Sequence, residues 1–328
     1  MKEQEFTQRY IEEKDSYLAW GHYIQDTVIS ALHELVDIKS FIKVPVEPRV
    51  KEVSSLIQKA FYRNKKYQNP YDDITDKVGI RFVVLSLQDI DVIGDIIQSS
   101  KNWTFSLDRN FEQERKDSPN VFTYQSVHYV LRALSDFRYK DVLISKNTPC
   151  EVQIRTLLQH SYSELTHDTI YKGKTIAVPD VHRKIARSMA LIEATDELFV
   201  DVNNLINDKQ GLYDNYIKTL SNIYSSIIPS FTLSKDFNLS ILDAYQDIIS
   251  QQHIENIVTH VSEPSALEIY KQIINTNYEK SLLFRQPIIM FLFYIVSKEP
   301  YTAIEHWPFP EKQLENIANS IGRSIFTD

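Results

Sequence analysis

The spacing of apolar positions divides the chain into a mixed first part and a helical second part. Between residues 7 and 40, Tyr10, Ile11, Tyr17, Leu18, Tyr23, Ile24, Val28, Ile29, Leu32, Leu35 and Val36 recur at three- and four-residue steps. That is the spacing of one or two amphipathic helices. Pro45-Val46-Glu47-Pro48 ends the pattern. A short extended piece follows, on which Arg49 and Lys51 alternate to one side. Ser54 or Ser55 is then placed to cap a helix carrying Lys59. Ile80-Arg81-Phe82-Val83-Val84-Leu85 is β-branched and apolar, as a buried strand should be. Residues 88–99 read as a helix, 103–105 and 127–134 as strands, and 139–144 with 150–154 as a hairpin-like pair. The stretch 109–120 is polar, weakly periodic and contains Pro119, so it reads as a mobile loop. A helix follows over 155–171.

Gly173 and Pro179 punctuate a boundary. Beyond it the pattern predicts helices at 181–205, 213–228, 239–251, 265–276, 287–297 and 311–325, with no firm repeat period. The fold class expected is α+β: a mixed sheet flanked by helices, then a mostly α-helical C-terminal region. The domains expected are 1–178 and 179–328.

Composition narrows the function classes. The 328 residues suit about two domains. The net charge of −8 excludes a global basic footprint for nucleic acid. Residues 179–328 carry about −7 of it, with 19 acidic against 12 basic side chains. Cys150 is the single cysteine, so neither an intramolecular disulfide nor a cysteine zinc cluster can form. The longest apolar run, 287–296, is too short for a bilayer. With no apolar signal core at the N-terminus, the sequence reads as a cytoplasmic protein. Six scattered glycines form no phosphate-cradling loop. A nucleotide would therefore be held by lysine and arginine side chains.

Candidate chemistry concentrates between Asp76 and Arg155. Asp76 and Glu151 each sit at or beside the start of a strand. Two carboxylates brought together at a sheet edge repel unless a cation lies between them, and Mg²⁺ held by carboxylates and substrate phosphates is the commonest solution. Tyr124, at a strand entrance, could stack on a base or simply pack in the core. His128 alone on a strand reads first as structural. His160, Glu164 and His167 share a helical face, a faint metal pattern that surface hydrogen bonding explains more simply.

Four segments together resemble the RelA/SpoT family synthetase domain, over about residues 10–175. They are Arg49-x-Lys51…Ser55…Lys59, Asp76-x-x-Gly79-Ile80-Arg81, Tyr124-Gln125-Ser126-x-His128 and Glu151-x-Gln153-Ile154-Arg155-Thr156. The resemblance implies a nucleotidyltransferase-like fold and transfer of pyrophosphate from ATP to a ribose 3′-hydroxyl of GDP or GTP, making an alarmone. The alternative within the family is a toxin that modifies the 3′ end of tRNA or makes adenosine alarmones. By motif position, Asp76 and Glu151 are implied as the Mg²⁺ and catalytic acids. Arg49 and Arg81 are implied for adenine, and Lys51, Lys59 and Ser55 for ATP phosphates. Tyr124, His128 and Gln153 are implied for the acceptor. Partners implied are ATP and the acceptor nucleotide or tRNA. No membrane is expected, and a homo-oligomer, or an antitoxin or regulator through 179–328, is left open. Two features depart from the family pattern. Phe122-Thr123 stands where glycine often precedes the stacking tyrosine, and the helical part after 178 is unusually large. Arg109, Arg115 and Lys116 offer a local basic patch for RNA.

Overall fold

The computed structural model describes residues 2–63, 66–166 and 179–325. The chain divides into two compact units, Met1–Val202 and Asn203–Asp328. The division falls later than residue 178, inside a long helix whose first stretch bonds to the first unit.

In the first unit, α1 (Glu3–His33) and α2 (Ile38–Phe41) lead to β1 (Arg49–Val50), α3 (Val53–Ile57) and α4 (Pro70–Asp73). Then come β2 (Val78–Val84), α5 (Leu87–Ser99), β3 (Trp103–Arg109), α6 (Phe111–Asp117) and β4 (Val127–Ala133). The hairpin β5 (Phe137–Tyr139) and β6 (Val142–Ile144) precedes β7 (Pro149–Thr156) and α7 (Leu157–Thr166). The main sheet has the order β1-β2-β7-β4-β3. Only β2 and β7 run parallel; the other neighbours are antiparallel. This is the expected mixed sheet.

Strand period separates the two faces of the sheet. Ile80 pairs with Val152 and Phe82 with Ile154, and Tyr129 opposes Val152. These side chains are buried together with Tyr10, Trp20, Ile24 and Val28 of α1 and Ile90, Ile93 and Ile97 of α5. Of the three- and four-residue spacing, Tyr10, Tyr17, Ile24, Val28 and Leu32 form the buried stripe of α1, whereas Ile11 and Leu35 are exposed. Ser86 starts α5 with a capping box to Asp89. Arg81, Gln153 and His128 pair across the same strands and point to the opposite face, with Glu151 two residues before Gln153. Gly21 lets α1 approach the entrance to β1: a Cβ there would stand 2.6 Å from the Pro48 Cβ.

Three local expectations are corrected. Residues 109–120 are not a loop: Arg109 ends β3 and 111–117 are helical. The Asn110 side chain caps α6 by accepting from the Glu112 and Gln113 amides, and Phe111 anchors it in the core. Residues 139–144 do not pair with 150–154. They lie in the β5–β6 hairpin, whose turn residues Lys140 and Asp141 take positive φ, as a tight hairpin turn demands. Ser54 and Ser55 lie inside α3 rather than at its cap, which is Glu52, and residues 58–62 continue as a π-helical stretch.

In the helical region, α8 (Pro179–Ser225) fuses two expected helices. Gly211 does not break it, because no capping residue or proline stands beside it to end the helix. After α8 come α9 (Lys235–Ala244), α10 (Gln251–Val261), α11 (Pro264–Asn277), α12 (Ile288–Lys298), α13 (Pro300–Glu305) and α14 (Glu311–Ser320). Both α10 and α13 lie outside the six helices that the spacing predicts. Every residue of α12 from Ile288 to Val296 is buried, which makes it the central helix of the second unit. Its start is fixed by Asn238, whose side-chain oxygen accepts from the Ile288 amide at 3.0 Å. Among the described residues no helix is long and apolar enough to cross a membrane.

Candidate active site

Arg49, Lys51, Ser55, Asp76, Arg81, Glu151 and Gln153 line one cleft of about 470 Å³ on the non-core face of the sheet. The segment before β2 is pinned to β1, since the Lys51 amide donates to the Lys77 carbonyl at 2.9 Å. That bond sets Asp76 beside both lysines. Its Oδ2 accepts from the Lys51 ammonium and, at 2.7 Å, from Lys59 Nζ. Burial acts to raise the Asp76 pKa, but the two lysines outweigh it and the net shift is downward. Glu151 shows the same balance. Burial raises its pKa, while His128 Nδ1 at 3.0 Å and Gln153 Nε2 at 3.2 Å bring it below the usual carboxylate value.

The two acids suit a divalent cation. Asp76 Oδ1 is buried and has no hydrogen-bond partner, so it carries an unused lone pair beside the cleft. Asp76 also acts electrostatically on Glu151, tending to raise its pKa. Hard carboxylate oxygens match Mg²⁺, which keeps water or phosphate at its remaining positions. Among the described residues no group of three or more His, Cys, Asp and Glu forms a metal cage. Asp76 and Glu151 are the two cleft carboxylates joined electrostatically, while Glu47 and Glu52 also line the cleft. The faint metal pattern on α7 finds no support: His160 Nδ1 lies 3.8 Å from Glu164, and His167 lies outside the described residues.

Lys59 and His128 do not line this cleft. They reach it through Asp76 and Glu151. Tyr124 lines a second cavity of about 430 Å³. A β-bulge shapes its surroundings. Leu107 opposes Tyr129, but the next partner, of His128, is Arg109 rather than Asp108. The extra residue turns the strand so that Arg109 joins the functional face. Its guanidinium lies 4.8 Å from the centre of the Tyr124 ring, and its Nη2 donates to the Tyr124 carbonyl at 2.8 Å.

The sequence reading passed over several site residues. Arg155 is fully buried 5.8 Å from the Tyr124 ring. It donates to Gln153 Oε1 at 3.1 Å, while its Nε and Nη1 find no partner. Burial pushes its pKa down to about 10, so it stays cationic at neutral pH and makes the face attractive to phosphate. Its place in the same motif as Glu151 was the available signal. Glu193 on α8 binds Arg115 at 3.3 Å and Gln125 at 2.8 Å, and no local pattern announces that pairing. The expected basic patch is largely neutralised. Glu114 takes Arg109, and Glu193 and Glu197 take Arg115.

Residues 48–176 match the family described as the region found in RelA / SpoT proteins. GTP pyrophosphokinase YjbM of Bacillus subtilis (strain 168) is 25% identical over 186 residues, covering 56% of this chain and 83% of that protein. The crystal structure of small alarmone synthetase 1 from Bacillus subtilis superposes with a TM-score of 0.51 at 19% identity, over 61% of this chain and 99% of the other. That likeness bears on the fold.

Proposed function

Because residues 48–176 belong to the RelA/SpoT family, we propose that this chain transfers pyrophosphate from ATP to the ribose 3′-hydroxyl of GDP or GTP. One observation carries the reading: Asp76, Glu151, Lys51, Arg49 and Arg81 line a single cleft, with Lys59 joined to it through Asp76. The similarity to a protein named a GTP pyrophosphokinase supports the guanosine acceptor.

In this reading ATP enters the cleft with its adenine between Arg49 and Arg81. Lys51 and Lys59, which rest on Asp76 in this structure, turn to the phosphates, with Ser55 beside them. Asp76 and Glu151 would hold Mg²⁺, which would supply charge neutralisation for the phosphates. The acceptor base stacks on Tyr124, using ring surface that Arg109 leaves open, and Gln153 and His128 contact the acceptor. Glu151, kept ionised, receives the proton of the 3′-hydroxyl. The 3′-oxygen bonds to the β-phosphorus of ATP, the bond from that phosphorus to the α,β-bridging oxygen breaks, and AMP leaves. Positioning and charge neutralisation supply most of the catalysis, as in phosphoryl transfer generally.

The neutralisation of Arg109 and Arg115 by neighbouring acids weighs against a tRNA acceptor gripped by that patch. Residues 179–328 are proposed as a regulatory or partner-binding region. The test is incubation of the chain with γ-³²P-ATP and Mg²⁺ alongside GDP, GTP, ADP or deacylated tRNA. Label on guanosine nucleotide is expected. Label only on tRNA would replace the acceptor, and label on none would overturn the reading.

A further inference from the structure

The cavity at Tyr124 has a wall that no motif of the sequence accounts for. Residues 120–124 with Tyr162 and Thr166 line one part of it, and His182, Ile185 and Ala186 of α8 line the rest. The volume of about 430 Å³ lies in the range of small-molecule pockets. Among the described residues its lining is aromatic and aliphatic with polar edges and includes no acidic side chain. A flat, apolar-faced, hydrogen-bonding group fits that chemistry. A nucleobase meets each requirement, with the Tyr124 ring as stacking platform.

A second, independent observation ties the same helix to the same loop. Glu193, further along α8, accepts from Gln125 Nε2 at 2.8 Å and pairs with Arg115 at 3.3 Å. Arg115 also donates to Gln125 Oε1 at 2.7 Å. Gln125 is buried and follows Tyr124 directly. The triangle Arg115–Gln125–Glu193 therefore holds the Tyr124 backbone against α8. Side chains from α6, from the segment before β4 and from α8 must all be in place for the cavity to keep its shape.

We propose that the first stretch of α8 is part of the acceptor site, with Ile185 and His182 forming the wall that faces the acceptor base and Glu193 positioning Tyr124. This rests on the pyrophosphotransfer reading for what the acceptor is. It adds that acceptor choice is decided in part outside residues 48–176. The helix that supplies the wall is the one that continues into the second compact unit.

The test is equilibrium binding of GDP, and separately of α,β-methylene-ATP, to the full chain and three variants. Ile185→Trp puts an indole into the cavity and should weaken GDP at least tenfold while leaving the ATP analogue within twofold. Ile185→Ala enlarges the cavity without adding bulk and should weaken GDP severalfold with the same selectivity. Glu193→Gln should raise the acceptor KM and leave the ATP KM unchanged, a split that a loss of general stability would not produce. Unchanged GDP binding in both Ile185 variants, equal loss of both ligands, or no GDP binding by the unaltered chain would overturn the proposal. Intact, variant-sensitive GDP binding without label transfer to any acceptor would fault the pyrophosphotransfer reading and leave the pocket assignment standing.

Discussion

The Thr156 hydroxyl donates to Asp196 Oδ2 at 2.9 Å and so fastens α8 to the last residue of β7. Both residues are fully buried, and Asp196 Oδ1 has no partner. Burial raises the Asp196 pKa to about 6, against the smaller opposing effects of Thr156 and Arg115. A raised carboxylate pKa favours the folded state most below the unfolded value of 3.8, and that contribution fades as pH climbs through about 6. The whole shift corresponds to about 3 kcal/mol, of which about 2 is lost between pH 4.5 and 7.5. Asp196→Asn should therefore gain stability relative to the unaltered chain as pH rises over that interval. Urea unfolding at the two pH values measures it. A difference that does not vary with pH would refute the buried, strained carboxylate.

Replacing either cleft acid should stop the chemistry and spare the fold. Asp76→Asn and Glu151→Gln each keep the shape of the side chain and remove its charge. Turnover should fall by about a thousandfold or more, the scale of losing an electrostatic partner in a closed site. Far-UV circular dichroism should not change. Normal turnover in either purified variant would contradict the two-acid arrangement.

Tyr124 should govern the acceptor alone. Tyr124→Ala is expected to raise the acceptor KM by ten- to a hundredfold, since stacking on an aromatic contributes about 1–3 kcal/mol per base. The KM for ATP should stay within about twofold, because Tyr124 does not line the cleft of Asp76 and Glu151. Equal losses for both substrates would argue that the ring only supports the fold. Arg109→Ala should follow the same pattern more weakly, because its guanidinium lies over the ring and its Nη2 holds the Tyr124 carbonyl.

Gly21 links the helix packing to the cleft. A methyl group on residue 21 would meet Pro48, which directly precedes Arg49. Gly21→Val should cost about 1–3 kcal/mol by overpacking. It should also weaken ATP more than the acceptor, as β1 is pushed away from Asp76. Thermal unfolding together with the two KM values checks both halves of the expectation.

The pattern of residues made some of this legible and hid the rest for physical reasons. The buried stripe of α1, the apolar strand β2 and the mixed sheet with a helical region after it follow from local spacing, and local spacing is visible in the chain. The seven cleft residues share one face because strand alternation carries Arg81, Glu151 and Gln153 to the same side. By contrast, α6 has too few apolar positions for a visible period. It is held by the Asn110 cap and one buried phenylalanine. The bulge that presents Arg109 leaves no mark in composition. Glu193 meets Gln125 across 68 positions of sequence, and Asp196 meets Thr156 across 40, so only the folded chain could pair them. The single helix α8 was read as two because polar residues with Gly211 lie between two apolar stretches.

The most direct test of the central claim is the phosphorus balance of one reaction: the chain with Mg²⁺, GDP and ATP labelled at both the β and γ positions. Pyrophosphate transfer predicts AMP and a guanosine product in equal amounts, with both labels together on the product's 3′-oxygen. ADP with a singly labelled product would make the chain an ordinary phosphotransferase and contradict the account.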